Sequence, residues 1–238
     1  MIPRKYRLIP LLAINLMISG PVMAGEIVKV NFASETPGAE ARAFTPMAGI
    51  WHIDRDGDKI VYAVDGRKWE KGLMADGVLE KAKGLYGERY AEFLDNLENY
   101  KYFPLSVFKD VQDFRNGMLT VAFKPVSGRI DQAAGIAFNV QPNGDYLLVR
   151  ANALENNLVL FKMERGKRSS VQWIRNVPTP SNKWHSLKVV VQGRRIEGYL
   201  NGQKHLDYQV ENEIRGKVGL WSKADSYVFF NDLTVGPQ

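Results

Sequence analysis

Residues 121–163 read VAFKPVSGRIDQAAGIAFNVQPNGDYLLVRANALENNLVLFKM, and this stretch decides the fold. Between residues 136 and 140 apolar side chains alternate with Ala and Asn, which is the period-two pattern of a half-buried strand. The sequence Pro-Asn-Gly-Asp at 142–145 indicates a turn, because proline fixes one φ and glycine tolerates a positive one. Two further strands are predicted at 146–150 and 158–163. Strands joined by such short turns cannot bury their apolar faces alone, so the sequence predicts a second sheet.

The rest of the C-terminal half continues this pattern of short strands and polar turns. Leu187, Val189 and Val191 share one face of a predicted strand. The Asn201-Gly202 pair is a strong hairpin signal. Closely spaced strands with polar turns are typical of a jelly roll, so we expect an all-β protein.

Seven segments of this half resemble one known family. They are FKPVSGRIDQAAGIAF, YLLVRANALENNLVLFK, GKR, WHSLKVVV, YLNG, GKVGLWSKADS and FFNDLTV, which together extend from residue 123 to 235. The segments resemble the laminin-G-like, concanavalin A-like lectin and glucanase family, close to the 3-keto-disaccharide hydrolase group. The resemblance implies a two-sheet antiparallel jelly-roll sandwich. It leaves the function open, because that fold hosts lectins, glycoside hydrolases and adhesion modules.

Residues 77–103 interrupt the strand pattern with an apolar stripe at three- and four-residue steps, which predicts a short helical insertion. Gly84 and Gly87 weaken the helix by about 1 kcal/mol each relative to alanine, so it can divide into two shorter helices. One interpretation is a cap that covers an edge or an end of the sandwich. The other is a lid over a ligand cleft, lined by Tyr86, Tyr90 or Tyr100. Aromatic stripes at helical spacing usually pack into a core, which favours the cap.

The first 24 residues have the pattern of a signal peptide. Arg4, Lys5 and Arg7 precede a short apolar run, and Ala24 ends a segment suited to cleavage. The apolar run is shorter than the about 20 residues that a membrane span needs. We therefore expect one exported domain, residues 25–238, in the periplasm or outside the cell, with no membrane attachment after cleavage.

Charge and cysteine content exclude several classes of protein. Three of the 32 basic residues and none of the 26 acidic ones lie in the signal segment, which leaves 29 basic against 26 acidic residues. These charges are interspersed, so nucleic-acid binding is not expected. The chain has no cysteine, which excludes a disulfide framework, a thiol nucleophile and a cysteine-based zinc site.

The resemblance implies a carbohydrate-binding face on the concave sheet. Tyr146 and Arg150 share one strand face, and Asn152 follows in the same matching segment. Arg150 is suited to donate to sugar hydroxyls, and Tyr146 or Trp221 to stack on a pyranose ring. The alternatives are a structural ion pair for Arg150 and a core position for Trp221.

Metal and catalytic residues are less clearly indicated. The resemblance implies a structural calcium ion at Asp232, whereas the alternative is an aspartate that caps a strand turn; no other cofactor is expected. The segment 54–58, Asp-Arg-Asp-Gly-Asp, fits a hairpin turn better than a calcium loop. The chain lacks the Glu-x-Asp-x-(x)-Glu strand motif of laminarinases, which places two carboxylates about 5 Å apart. If the protein is an enzyme, the acids to test are Asp131, Asp145 and Glu155.

Three functions remain open on the sequence. The missing catalytic motif favours an exported protein that binds a glycan on its concave sheet without catalysis. The second hypothesis is a sugar hydrolase or lyase of the 3-keto-disaccharide type, which requires a desolvated acid or base in a cleft. The third is a structural or adhesion module that binds protein through an exposed sheet edge.

Overall fold

The computed structural model describes residues 27–68 and 72–237, which form two antiparallel sheets and a short helical segment. The predicted signal peptide lies outside the described residues. The strands are β1 (Val28–Val30), β2 (Phe44–Ala48), β3 (Trp51–Asp56), β4 (Lys59–Asp65), β5 (Leu105–Phe108), β6 (Gly117–Ser127), β7 (Ala133–Val140), β8 (Tyr146–Asn152), β9 (Asn157–Glu164), β10 (Lys167–Arg175), β11 (His185–Gln192), β12 (Arg195–Leu200), β13 (Gln203–Gln209), β14 (Lys217–Ser222) and β15 (Tyr227–Gly236). The helices are α1 (Val78–Tyr86), α2 (Tyr90–Asp95) and α3 (Leu97–Tyr100), with one 3-10 turn at Gly87–Arg89.

The strand order confirms the predicted two-sheet antiparallel jelly roll. Sheet A has the order β13-β12-β11-β6-β15-β4-β3, with β1 paired to β15. Sheet B has the order β10-β9-β8-β7-β14-β5-β2. Strands β7, β8 and β9, which the opening stretch of sequence predicts, are neighbours in sheet B. The short β7–β8 and β8–β9 connections lie at opposite ends of sheet B.

The main core lies between the two sheets. Leu119, Val121 and Phe123 of β6 belong to the same buried cluster as Ile136 and Phe138 of β7. Successive side chains of a strand point to opposite faces, so this alternation buries one face of each strand. The period-two pattern of the sequence therefore corresponds to the inner faces of the sandwich.

A second apolar cluster covers the other face of sheet B. Leu148 and Phe161 on that face belong to one buried cluster with Val78, Ala82 and Phe93 of the helical segment. The segment is therefore a cap, and it packs on the outer face of sheet B rather than on an edge or an end of the sandwich. Consequently β8 is buried along its whole length.

The cap is made of short helices, as its glycines predict. Helix α1 runs through Gly84 and ends at Tyr86, and its C-cap residue Gly87 has a φ of 54°, in the positive range that glycine tolerates. The Tyr86 and Tyr100 hydroxyl groups are hydrogen-bonded to each other at 2.7 Å inside the cap. None of the helices in the described ranges is long and apolar enough to cross a membrane.

The acidic segment 54–58 forms the end of β3 and the two-residue turn of the β3–β4 hairpin, as its composition predicts. Gly57 at the tip has a φ of 62°. Asp56 accepts hydrogen bonds from Lys124 Nζ at 2.7 Å and from Trp184 Nε1 at 2.9 Å. Its carboxylate therefore connects the hairpin to the neighbouring strands.

Candidate functional site

Seven polar side chains gather at one end of the outer face of sheet B, where a turn joins β8 to β9. They come from β8, β9, β10 and three loops, and we call them the Arg150 cluster: Asp131, Arg150, Asn152, Glu155, Asn157, Arg168 and Lys223. The cluster lies beside the helical cap. Each member is positioned by a contact that the following paragraphs describe.

The loop before β7 is held by Asp225. Its carboxylate accepts backbone N–H groups from Arg129 at 2.7 Å, Ile130 at 3.0 Å and Asp131 at 3.0 Å. Burial opposes ionisation of Asp225, but these three hydrogen bonds outweigh it and lower its pKa. The folded loop brings the Asp131 side chain toward β8.

Asp131 is 1% exposed and forms the floor of the cluster. Its Oδ1 accepts a hydrogen bond from Asn152 Nδ2 at 2.7 Å, and Lys223 Nζ lies 2.8 Å from its Oδ2. Asn152 also accepts the backbone N–H of Gln132 at 3.3 Å and of Leu154 at 3.1 Å. Asn152 is therefore a positioning residue that joins the two loops around the cluster.

Arg150 and Glu155 form an ion pair across the cluster. Arg150 Nη1 donates to Glu155 Oε2 at 2.9 Å and to Asn157 Oδ1 at 3.1 Å. The arginine side chain is 1% exposed, whereas 35% of the glutamate side chain is exposed. Burial opposes ionisation of Glu155, but hydrogen bonds from Asn157 and Arg150 and the charge of Lys223 lower its pKa. The cluster thus holds an ionised carboxylate that solvent can reach.

Arg168 lies between two phenyl rings. Its guanidinium carbon is 4.8 Å from the centroid of Phe103 and 4.6 Å from that of Phe161. The Arg150 guanidinium lies against the same Phe161 ring, at 5.2 Å. Burial, followed by the nearby charge of Arg150, lowers the pKa of Arg168.

Both arginines keep unused hydrogen-bond donors. Arg150 Nε and Arg168 Nη1 are buried without a hydrogen-bond partner among the described residues. A buried donor without a partner costs about 1–3 kcal/mol, and more when the group is charged. Because buried polar groups are nearly always paired with protein, ligand or water, these two donors are available to a polar or anionic ligand.

Exposed apolar side chains accompany this polar centre. Trp173 of β10 is 44% exposed and meets Phe161 edge-on, with 6.0 Å between the ring centroids. Ile130 and Leu154 are also exposed, and each is adjacent in sequence to an acid of the cluster. Such a combination of aromatic surface and a few polar groups is typical of small-ligand sites.

The four predicted carbohydrate-binding residues fall into two pairs. Arg150 and Asn152 belong to the cluster, and their contact with sugar stays a prediction. Trp221 and Tyr146 are only 0% and 4% exposed, and Trp221 Nε1 donates to the tyrosine hydroxyl at 3.0 Å. Phe103 packs on Trp221 with 5.4 Å between the centroids. Neither predicted stacking ring offers an open face, because the cap covers both; the exposed ring is that of Trp173.

The structure separates the three acids named from the sequence. Asp131 and Glu155 lie in the cluster. Asp145 lies at the other end of β8, where it accepts the Arg165 backbone N–H at 2.8 Å and Asn143 Nδ2 at 2.9 Å. These contacts give Asp145 a turn-stabilising role.

Sequence reasoning missed Arg168, Lys223 and Asn157 as members of the site. Arg168 is the second residue of β10, and its side chain extends over the sheet to the ring of Phe161. The signal was present in the matching segment GKR, which ends with this arginine.

Asp232 lies apart from the cluster, in β15. Its φ is 51°, its side chain is 60% exposed, and Lys59 Nζ is 3.5 Å from its Oδ2. Within the described ranges, no three His, Cys, Asp or Glu side chains are grouped closely enough to hold a metal ion. Calcium binding at Asp232 stays a prediction.

Comparison with known proteins identifies the family. Residues 51–236 match the model of the 3-keto-alpha-glucoside-1,2-lyase-like domain. The chain belongs to this family. The matched range includes all seven residues of the Arg150 cluster, and it confirms the resemblance seen in the sequence. No curated protein was found to match the chain.

Solved structures similar to this 3-keto-alpha-glucoside-1,2-lyase-like chain share its fold. A carbohydrate binding module from Bacillus subtilis is 15% identical, with a TM-score of 0.58 over 83% of this chain and 96% of that one. A native glycosidic hydrolase is 11% identical, with a TM-score of 0.55 over 89% and 96%. A Bacteroides ovatus mixed linkage glucan protein in complex with a product is 8% identical, with a TM-score of 0.55 over 87% and 99%. At these identities the likeness shows the sandwich fold and nothing finer.

Proposed function

We propose that the protein cleaves a 3-keto-α-glucoside by elimination across C1 and C2, with the Arg150 cluster as its active site. One observation carries the proposal: two arginines with unused buried donors lie beside an ionised, accessible carboxylate. Membership of the lyase-like family supports the choice of substrate class. This proposal gives the second of the three functions open on the sequence precedence over the first.

The first step is removal of the proton at C2. A ketone at C3 acidifies this C–H bond, and Glu155 accepts the proton. The electron pair of the broken bond forms C2=C3 and places negative charge on the C3 oxygen. Arg150 and Arg168 stabilise this enolate, because hydrogen-bond donors that are already held in place act strongly on developing charge.

The second step expels the aglycone. The enolate restores the C3 carbonyl, a C1=C2 double bond forms, and the C1–O bond breaks with its electron pair leaving on the glycosidic oxygen. The proton held by Glu155 passes to that oxygen. The products are a 2-hydroxy-3-keto-glucal and an alcohol, and no water is consumed. Later addition of water to the double bond gives 3-ketoglucose, so that the net reaction becomes hydrolysis.

The remaining members of the cluster position the substrate. Lys223 and Asp131 hold each other at 2.8 Å, and together with Asn152 they form a rigid polar floor for sugar hydroxyl groups. The exposed ring of Trp173 offers the stacking surface that the sequence analysis assigned to Trp221.

The direct test is product analysis by NMR. The purified protein is incubated with a 3-keto-α-glucoside disaccharide and, as a control, with the unoxidised disaccharide. We expect release of the alcohol and vinylic proton or carbon signals of the glucal from the keto substrate alone. Cleavage of the unoxidised disaccharide at an equal rate, or no cleavage of either sugar, contradicts the proposal.

A second candidate function is glycan binding without catalysis. It is favoured by the exposed Trp173 at the mouth of the cluster and by the absence of a laminarinase-type motif in the chain. Titration of the same sugars by calorimetry separates the two functions. Binding of a sugar that the protein never cleaves supports this candidate over the lyase.

Export is part of the proposal. The pattern of residues 1–24 supports cleavage after Ala24 and release into the periplasm or the medium. Intact mass of the protein recovered from cell fractions tests it. A mature chain that begins at Gly25 in the exported fraction supports export, and an uncleaved chain in the cell interior contradicts it.

A further inference from the structure

A cleft lies on the outer face of sheet B, at the end opposite to the Arg150 cluster. The antiparallel strands β7 and β14 connect the Arg150 cluster with this cleft. The cleft has a volume of about 500 Å³. Its walls come from the end of α1, the loop between β5 and β6, the turn between β7 and β8, and the start of β14. Tyr86, one of the tyrosines that the lid interpretation assigned to a ligand cleft, lines it.

Lys217 is the buried charge of this cleft. The residue is 7% exposed, and its ammonium group donates to Gln112 Oε1. It lies 6.0 Å from the ring centroid of Tyr86. None of the ion pairs among the described residues includes Lys217. A buried lysine is normally paired, because an uncompensated charge in a desolvated place is unfavourable.

The other charged groups of the cleft make it positive. Arg89 and Arg215 line it together with Lys217, and Asp113 is the one carboxylate among the lining residues in the described part of the chain. Arg89 is paired with Glu92, which is not a lining residue, at 2.9 Å. Arg115 and then Arg215 hold that carboxylate, at 2.7 Å and 3.0 Å, and lower its pKa. Asp113 is thus paired with two arginines and not with Lys217.

We propose that this cleft binds the oxyanion group of a small ligand, a carboxylate or a phosphate, with Lys217 as its charge partner. The ammonium group has three donors, of which Gln112 takes one. Arg215 supplies further donors at the rim, and Arg89, whose Nε and Nη2 donate to Glu92, adds positive charge there. Burial lowers the pKa of Lys217, and a bound anion offsets that cost. The inference is independent of the proposed lyase activity, because the two sites share no residue.

The test is thermal unfolding of the whole protein with inorganic phosphate, with acetate, and with sodium chloride at the same ionic strength. We expect phosphate or acetate to raise the midpoint beyond the chloride control, because a ligand that binds the folded state stabilises it. The substitution Lys217→Met removes the charge and keeps the chain length, and the shift should disappear. Lys83→Met, on the exposed side of α1, is the matched control and should keep it.

The two anions distinguish the source of the oxyanion. A shift with phosphate alone assigns a phosphate group, and a shift with acetate alone assigns a carboxylate. Arg89→Gln, at the rim, should weaken the apparent affinity about threefold or more if Lys217→Met does not fold. No shift with either anion, or an undiminished shift in Lys217→Met and Arg89→Gln, overturns the proposal. Arg168→Gln should leave the shift unchanged, which keeps this outcome separate from that of the lyase assay.

Discussion

The guanidinium group of Arg168 lies between Phe103 and Phe161 and has no ion-pair partner among the described residues. A residue kept only for stability would normally have its charge compensated. Its position is explained if the compensating group belongs to the substrate. Arg150 differs, because Glu155 already compensates its charge, although its Nε is buried without a hydrogen-bond partner among the described residues.

We predict that Arg168→Gln lowers kcat/KM on a 3-keto-α-glucoside by about 10²-fold, the usual loss when one donor to a developing oxyanion is removed. The thermal midpoint should stay within a few degrees or rise, since the substitution removes an uncompensated buried charge. Steady-state kinetics and calorimetry measure both quantities. Lys167→Gln, the exposed neighbour in β10, is the control. Unchanged kcat/KM in Arg168→Gln would remove this arginine from the active site.

Glu155→Gln should lower kcat by about 10²- to 10⁴-fold, because it removes the proposed base. In the wild type the pKa of Glu155 is below its ordinary value of 4.5. The ionised carboxylate, which accepts the proton, therefore predominates above pH 4.5. Activity should fall only as the pH falls through the lowered pKa. A pH profile of kcat/KM checks this. An acid limb centred above pH 6 would show that another group acts as the base.

For single residues, the sequence predicts which face of a strand a side chain occupies better than it predicts the exposure of that side chain. Strand parity places Tyr146 and Arg150 on one face, and the structure agrees. Parity cannot tell whether the face is open, because that depends on the cap, which is distant in sequence from β8. Trp221 was therefore expected as a stacking platform and is fully buried.

The helical cap determines which part of the outer face of sheet B remains accessible. Its apolar stripe predicted a helix that buries one side, and α1 to α3 do so. The sequence does not predict which surface of the sandwich the helices cover, because an edge, an end and a sheet face of the sandwich all offer apolar contacts. The cap ends at Phe103, whose ring packs on Trp221 and on the Arg168 guanidinium. The cap and the Arg150 cluster therefore meet at one side chain.

We predict that Phe103→Ala destabilises the protein by about 1–3 kcal/mol, because the half-buried ring leaves a gap above Trp221. It should also raise KM severalfold, since Arg168 loses one of the two rings that orient it. Urea unfolding and kinetics on the same preparation measure both effects. Tyr102→Ala, whose side chain is 49% exposed, should change the stability by less than about 0.5 kcal/mol. Equal effects of the two substitutions would contradict this role.

Across the whole molecule, carboxylates that accept hydrogen bonds connect the loops to the sheets. The pKa values of Asp54, Asp56, Asp65 and Asp225 are all lowered. A lowered pKa in the folded state stabilises the protein above the unfolded value of about 4, and the stabilisation is lost as the pH falls through the folded values. We therefore predict a thermal midpoint that changes little between about pH 5 and 8 and drops below about pH 4. A midpoint that rises on acidification would contradict this assignment.

In the proposed elimination, Glu155 removes the proton from C2 of the substrate. The most direct measurement is the deuterium kinetic isotope effect at pH 7 with a 3-keto-α-glucoside labelled at C2. The thermal midpoint of the protein is recorded in parallel with and without the sugar. We predict a primary effect on kcat or kcat/KM together with a glucal that has lost the label. A cleavage reaction that retains deuterium at C2 in the first product would contradict the elimination and the role of the Arg150 cluster in it.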